Sequence, residues 1–157
     1  MITTIHQLAV CFKARGSTLY GVGGMVRNPL LGLPVDDYDL CSDMEPAQVM
    51  ELAAEEGIPT GGAGTELGMI ELHVGNIICQ HTTFRSESYD EGCGHRPRNV
   101  AFSRSLSEDA KRRDFTVNTL YVNILTNEIT DPFGGLEDIK KRVLRAVNEH
   151  TLSLIHI

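Results

Sequence analysis

Two consecutive glycines, Gly23 and Gly24, stand between a segment typical of a β-strand and a segment typical of an α-helix. The strand is predicted over residues 18–22 and the helix over residues 25–31. A strand that enters a helix through glycines leaves backbone N–H groups uncovered at the helix start, where phosphate binds readily. Arg27 lies one turn into the helix and can reach an oxygen of the same phosphate. The segment therefore predicts a phosphate site, with a tight turn that needs positive φ as an equally good alternative.

The next predicted strand, residues 35–41, alternates apolar and acidic residues. Side chains along a strand alternate between its faces, so Asp37 and Asp39 are expected on one face, about 6.5–7 Å apart along the chain. Two such carboxylates repel each other, and a divalent cation between them relieves the repulsion. Mg²⁺ is the expected ion because it binds carboxylate and phosphate oxygens together. An acidic strand edge exposed to solvent explains the pair equally well when it is considered alone.

Hydrophobic periodicity and turn signals divide the remaining chain into short elements. The further predicted helices cover residues 4–15, 46–56, 107–120 and 139–142. The further predicted strands cover residues 69–74, 77–84, 121–125, 128–130 and 143–147. Residues 57–68 and 85–98, rich in glycine, proline or polar residues, are predicted to be loops. The pattern indicates one small mixed α/β domain in a chain of 157 residues.

Five ordered segments resemble the signature of class II CCA-adding enzymes and bacterial poly(A) polymerases. They are VGGMVRNPLLG at residues 22–32, DYD at 37–39, HTTFR at 81–85, EDAKRRDFTVN at 108–118 and DPFGG at 131–135. The order and spacing of these segments agree with the family across most of the chain. The resemblance implies a nucleotidyltransferase head domain over residues 1–147, with a polymerase-β-like fold in which a small mixed or antiparallel sheet is backed by helices.

The resemblance also implies roles for individual residues. It implies that Asp37 and Asp39 are catalytic and bind Mg²⁺. The residues predicted to bind the nucleotide are Gly23, Gly24, Arg27, Arg113, Asp114 and Asn118, with Asp114 near the ribose. The residue types alone leave alternatives open.

One alternative is a surface ion pair between Asp109 and Arg113, which are four residues apart on a predicted helix. Asp114 and Asn118 are equally compatible with capping or with buried hydrogen bonds.

The implied activity is template-independent addition of CCA to the 3′ end of tRNA from CTP and ATP. Poly(A), CC or A addition by the same family, and nucleotide binding without turnover, are the alternatives. The net charge of −7 makes the chain a poor nucleic-acid binder by itself, so we expect tRNA to be held mostly by further domains. In the family, the head is followed by a base-selecting neck and by RNA-binding domains. Residues 148–157 match neither, and we expect them to be a non-native tail or a fragment end.

Two residues depart from the family pattern. Asn28 stands where the family usually has Asp, which predicts a weaker contact that orients Arg27. Gln80 stands where the family often has Glu, which predicts that a third acidic residue near the metals is missing. The chain has no apolar run of the length that crosses a membrane and no signal peptide. We therefore expect a cytoplasmic protein.

Overall fold

The computed structural model describes residues 1–62, 64–89 and 97–148, and the side chains of all of these except residues 87–89 and 97–100. The α-helices are α1 (Ile5–Ala14), α2 (Gly24–Leu30), α3 (Pro46–Glu55), α4 (Leu106–Lys111) and α5 (Gly135–Lys141). The strands are β1 (Tyr20–Val22), β2 (Tyr38–Ser42), β3 (Thr60–Gly61), β4 (Met69–Val74), β5 (Ile77–Thr83), β6 (Arg85–Tyr89), β7 (Pro97–Phe102), β8 (Tyr121–Asn123) and β9 (Ile129–Thr130). Two 3₁₀ helices cover Thr65–Leu67 and Thr116–Asn118.

Seven of the strands form one mixed sheet in the order β3-β4-β5-β2-β1-β8-β9, while β6 and β7 form a separate antiparallel pair. In the large sheet, β2 and β5 run parallel, and the other neighbours run antiparallel. The parallel pair requires a long connection, which α3, β3 and β4 provide. The predicted fold class, a mixed sheet backed by helices, is confirmed.

The sheet buries side chains on both faces. One face packs against α1 and α3, where Phe12, Leu52 and Leu72 are fully buried. The opposite face carries a smaller apolar cluster that includes Val22 and Tyr121. Along β4, buried residues alternate with half-exposed ones, as expected when only one of its faces is covered by helices.

Several helix starts and turns have residues suited to those positions. The Thr4 hydroxyl accepts a hydrogen bond from the Gln7 amide and caps α1, and Pro46 opens α3. Gly75 forms the β4–β5 hairpin with φ +60. A Cβ on Gly75 would lie 2.4 Å from the Thr3 carbonyl oxygen, so close backbone contact also requires a glycine there.

Five predictions about elements were wrong in whole or in part. The helix predicted over residues 107–120 ends at Lys111, and a separate 3₁₀ helix follows it. The strand predicted over residues 143–147 is reduced to a single bridge between Phe115 and Ala146. The predicted loops at 57–68 and 85–98 contain strands, namely β3, β6 and the start of β7. The acidic strand β2 begins at Tyr38 rather than at residue 35.

Two further predictions concern residues that the structure does not describe. The middle of the predicted 85–98 loop, residues 90–96, and almost all of the predicted tail lie outside the described residues. Among the helices that are described, none has the length and apolar character needed to cross a membrane.

Candidate functional site

The glycine turn carries Arg27 folded back against it. Gly23 has φ +69 and forms the start of α2 without a side-chain cap, a conformation that favours glycine. A Cβ on Gly24 would lie 3.2 Å from Arg27 Nη2. The guanidinium therefore lies directly beside the start of α2. The first amides of a helix have no acceptor within it.

Side-chain amides hold the Arg27 guanidinium in place. Asn28 Oδ1 accepts hydrogen bonds from Arg27 Nε at 3.1 Å and from Nη2 at 3.0 Å. Asn118 Oδ1 accepts a third hydrogen bond, from Arg27 Nη1. Asn118 in turn donates to the Asp114 carboxylate at 3.1 Å, and this carboxylate also accepts from the Phe115 amide.

Three of the predicted nucleotide-binding residues, Arg27, Asn118 and Asp114, are thus joined in one hydrogen-bonded chain. Asp114 itself is exposed, so its carboxylate is accessible to a ligand. The sequence predicted that asparagine at position 28 weakens the contact with Arg27. That contact is present, with two hydrogen bonds.

The two aspartates lie at the start of β2. Asp37 is exposed and precedes the strand, and Asp39 is half-buried within it. Burial raises the pKa of Asp39, the negative charge of Asp37 raises it further, and the positive charge of Arg113 opposes both. Asp37, Asp39 and Arg113 therefore share one electrostatic environment. Their proposed roles in catalysis and metal binding remain predictions.

The neighbour of Asp39 in the sheet is an amide. Gln80 on β5 is in register with Asp39, and Glu71 on β4 is in register with Gln80. Glu71 Oε1 lies 2.7 Å from Nε2 of His73 on the same strand. Within the described residues, no group of three or more His, Cys, Asp or Glu side chains could hold a metal ion. The pair formed by Asp37 and Asp39 is the acidic feature of this region.

Arg113 is held by a buried ion-pair network. Asp109 is fully buried, and its Oδ2 accepts from Arg113 Nη2 at 3.0 Å and from the Tyr121 hydroxyl at 2.7 Å. Its Oδ1 accepts from Arg112 Nε at 3.0 Å. The Arg113 guanidinium also lies 5.5 Å from the centre of the Tyr121 ring, within cation–π range. The surface ion pair considered from the sequence is therefore wrong, because the pair is buried.

The network changes the ionisation of its members. Burial by itself would raise the pKa of Asp109, but the charges of Arg113 and Arg112 and the Tyr121 hydroxyl keep it below its usual value. Burial would lower the pKa of Arg113, and the Asp109 carboxylate raises it instead. Asp109 is therefore ionised and fixes Arg113 as a cation near Asp39.

The structure also gives the DPFGG segment a role that the sequence did not. The Asp131 carboxylate accepts hydrogen bonds from the amides of Gly135 and Leu136, which begin α5. A Cβ on Gly135 would lie 2.3 Å from the Thr116 carbonyl oxygen. This close approach packs α5 against the 3₁₀ helix that carries Asn118. The segment supports the site without contacting Arg27 or Asp39.

Helix α2 links the two halves of the site. It contacts both β2 and the 3₁₀ helix Thr116–Asn118, so the glycine turn, the acidic strand and the Asn118 segment meet at one end of the sheet. A cavity of about 210 Å³ lies elsewhere, between Asp43, Gln48 and Arg104. It contains none of the predicted site residues. We take the meeting point at α2 as the candidate site because the charged groups converge there.

Comparisons with known proteins identify the family of this chain. A model of the Poly A polymerase head domain matches residues 19–145. The chain is similar to the CCA-adding enzyme of Anoxybacillus flavithermus, with 40% identity over 137 residues, 87% of this chain and 33% of that enzyme.

Two solved structures are also similar. The Bacillus stearothermophilus CCA-adding enzyme in complex with CTP matches with a TM-score of 0.77 and 34% identity, over 92% of this chain and 33% of that chain. A tRNA nucleotidyltransferase complexed with a primer tRNA and an incoming ATP analog matches with a TM-score of 0.72 and 30% identity, over 96% and 40%. The chain therefore spans between 33% and 40% of the length of these proteins.

Proposed function

Because this chain belongs to the family of poly(A) polymerase head domains, we propose that it is the catalytic head of an enzyme that adds CCA to the 3′ end of tRNA. The similar proteins named as CCA-adding enzymes support this substrate and product. The observation that carries the proposal is that α2 contacts both β2, which carries Asp39, and the 3₁₀ helix of Asn118, so that the glycine turn, the acidic pair and the hydrogen-bonded residues Arg27, Asn118 and Asp114 lie together.

In the proposed reaction, the tRNA 3′-hydroxyl attacks the α-phosphorus of CTP or ATP. A new bond forms between that oxygen and phosphorus, the bond to the leaving pyrophosphate breaks, and the hydroxyl proton passes to solvent. The contribution of the protein is to position the reactants and to stabilise the developing charge.

Each predicted residue has a part in this proposal. Gly23, Gly24 and Arg27 bind the triphosphate through backbone amides and a guanidinium. Asp114 accepts a hydrogen bond from the ribose hydroxyl, and Asn118 keeps Asp114 and Arg27 in register. Arg113 supplies a fixed positive charge facing Asp39.

The carboxylates fit a divalent cation. The ionisation of Asp39 is opposed by its burial and by Asp37, and a bound cation would remove both penalties. We propose that Asp37 and Asp39 hold Mg²⁺. When bound there, Mg²⁺ would activate the attacking hydroxyl and stabilise the leaving pyrophosphate.

Residues 1–147 form the proposed catalytic head, and the proposed location is the cytoplasm, where tRNA is processed. The net charge of −7 disfavours strong tRNA binding by this segment. We therefore propose that most tRNA contacts belong to the part of the relatives' length that this chain does not span.

The test is incorporation of labelled CTP and ATP into tRNA that lacks its 3′ CCA, with Mg²⁺ and a high tRNA concentration. We expect Asp37→Ala and Asp39→Ala each to lower incorporation by at least about 100-fold. Asp36→Ala, which removes an exposed carboxylate beside the pair, is the matched control and should retain activity. Unchanged incorporation by either site variant would refute the assignment. If the unaltered chain neither incorporates nor binds CTP with Mg²⁺, the proposed function is wrong.

Gln80 favours a second candidate, nucleotide binding without turnover. It places an amide directly beside Asp39, where a carboxylate could otherwise add a metal ligand. Measurement of pyrophosphate release separates the two functions. Binding of Mg·CTP without pyrophosphate release in the presence of tRNA would favour the second candidate, and gain of release in Gln80→Glu would identify the amide as its cause.

A further inference from the structure

Three residues form a closed ring of contacts at the start of the 3₁₀ helix Thr116–Asn118. Arg145 Nε donates to Asp138 Oδ2 at 3.0 Å, and the same oxygen accepts from the Thr116 hydroxyl at 2.6 Å. The backbone closes the ring, because the Thr116 amide donates to the Arg145 carbonyl oxygen at 2.9 Å. Thr116 and Asp138 are buried. Arg145 therefore holds the first residue of the 3₁₀ helix through both its side chain and its backbone.

The other end of the Arg145 guanidinium binds the DPFGG segment. Its Nη2 donates to the Phe133 carbonyl oxygen at 2.7 Å, and a Cβ on Gly134 would lie 3.3 Å from the same nitrogen. One guanidinium thus joins the residues just before α5 to Asp138 within that helix. Arginine is suited to this because its planar group presents several donors in a fixed geometry, whereas the lysine ammonium is a single point of charge.

The residues that follow Arg145 run beside the segment that carries Asp114. Ala146 forms an antiparallel bridge with Phe115. The Val147 amide donates to the Asp114 carbonyl oxygen at 2.8 Å. The main chain that follows Arg145 therefore fixes the backbone of Asp114.

These contacts determine where the Asp114 carboxylate lies. It accepts from Asn118 Nδ2 at 3.1 Å and from the Phe115 amide at 2.6 Å. Both donors belong to the segment that Arg145 holds through Thr116. Asp114 is exposed, and an exposed side chain keeps one position only when the backbone around it is fixed. Loss of the Arg145 guanidinium would therefore release the carboxylate without removing any group proposed to contact the nucleotide.

We propose that Arg145 is a positioning residue that holds Asp114 where it recognises the ribose of the nucleotide. The proposal rests on the ribose role proposed above for Asp114. The Arg145 side chain is 55% exposed, so its removal leaves no buried cavity and acts through the lost contacts. Changing Arg145 should therefore weaken the binding of nucleotides that carry ribose hydroxyls and spare those that lack them.

The experiment compares Arg145→Ala, Asp114→Ala and the unaltered chain in the binding of Mg·CTP and Mg·2′,3′-dideoxy-CTP. The unaltered chain should bind CTP at least about tenfold more tightly, as expected for one hydrogen bond to a charged group. In Arg145→Ala, the affinity for CTP should fall about three- to tenfold and that for the dideoxynucleotide less than about twofold. Asp114→Ala should bind both nucleotides alike. An equal loss for both nucleotides in Arg145→Ala would overturn the proposal, because a purely structural role lowers both affinities.

Two further variants control for charge and for the route of the effect. Lys141→Ala removes a positive charge from the end of α5, where Lys141 forms an exposed pair with Glu137 at 3.5 Å, and it should keep the preference for CTP. The double variant Arg145→Ala/Asp114→Ala should bind CTP no more weakly than Asp114→Ala, since the arginine acts through Asp114. Additive losses would contradict this route.

A second measurement needs no nucleotide. Hydrogen exchange of the Thr116 and Val147 amides, which donate across the two segments, should be slow in the unaltered chain and in Lys141→Ala. It should be faster in Arg145→Ala, while the amides of β5 stay protected. Unchanged exchange of these two amides in Arg145→Ala would refute the positioning role.

The remaining outcomes also decide between the proposals. If Arg145→Ala does not fold, Arg145→Lys replaces it, since it keeps a cation beside Asp138 but not both contacts; an undiminished preference for CTP in that variant would overturn the proposal. Equal affinity of the unaltered chain for both nucleotides would refute the ribose role of Asp114 and this proposal with it. If the unaltered chain binds neither nucleotide, the proposed function is wrong, and the exchange comparison decides the positioning role by itself.

Discussion

Two arginines contribute to the candidate site, and their surroundings are opposite in kind. Arg113 lies in a network around a fully buried carboxylate, Asp109, with Tyr121 completing it. Arg27 lies on the glycine turn between neutral amides. A compensated, buried arginine is suited to fixing structure and to opposing the charge of a neighbour such as Asp39. An uncompensated arginine is suited to binding an anion.

The largest expected difference concerns stability. Asp109→Asn leaves the buried Arg113 without its carboxylate partner, so we expect a loss of about 3–5 kcal/mol in the free energy of unfolding. Urea denaturation followed by circular dichroism measures it. Glu108→Gln is the control, since Glu108 forms an exposed pair with Lys111 that should contribute less than about 1 kcal/mol. A loss as small as that of the control would mean that Arg113 is not structurally dependent on Asp109.

The pH dependence of stability distinguishes the Asp109 network from a second buried group, His81. Burial lowers the pKa of His81 to about 3, so its contribution is complete above the unfolded-state value of about 6.5 and is lost as the pH falls toward 3. We expect stability to fall by about 1.4 kcal/mol per pH unit between pH 6 and 4. The pKa of Asp109 is lowered, so its loss occurs only below about pH 4. His81→Leu should abolish the slope between pH 6 and 4. If the slope remains, other groups cause the pH dependence of stability.

The smallest expected effect on stability is that of changing Arg27. Arg27→Ala removes three hydrogen bonds to amides at a partly exposed position, and we expect a loss of about 1 kcal/mol or less. Mg·CTP affinity should nevertheless fall by about 10- to 100-fold, because a charge-assisted contact with phosphate is lost. The same denaturation and binding assays measure both quantities. A large loss of stability together with unchanged affinity would reverse the contrast between the two arginines.

Local signals predicted the parts of the site that short segments determine. The glycine turn, the acidic pair and the Gly75 hairpin each depend on residues close in the sequence. The hydrogen bond between Arg27 and Asn118 joins residues that are 91 positions apart, and these two residues were grouped through the family resemblance rather than through periodicity.

The sequence could not predict the contacts that depend on burial. Asp109 and Arg113 have the spacing of an ordinary surface pair, and their burial depends on Tyr121 from a distant strand. The helix through residues 107–120 was predicted because its composition suits a helix, but the helix ends at Lys111, and Arg112 and Arg113 after it both donate to the buried Asp109 carboxylate. The Asn28 side-chain amide donates a hydrogen bond to the Pro34 carbonyl oxygen. This contact depends on a loop geometry that no residue pattern specifies.

The order of strands in the large sheet has a consequence for how the protein folds. Asp39 on β2 pairs with Gln80 on one side, and Tyr121 reaches the same region through β1 on the other. The neighbouring strand β1 is close to β2 in the sequence, but β5 and Tyr121 come from farther along the chain, and closing such loops is slow. During synthesis, the acidic strand stays without β5 until residue 83 has been made, and without the Tyr121 network until residue 123 has been made. A site built this way assembles late and all together, so we expect a partially synthesised chain to have no nucleotide affinity until its sheet is complete.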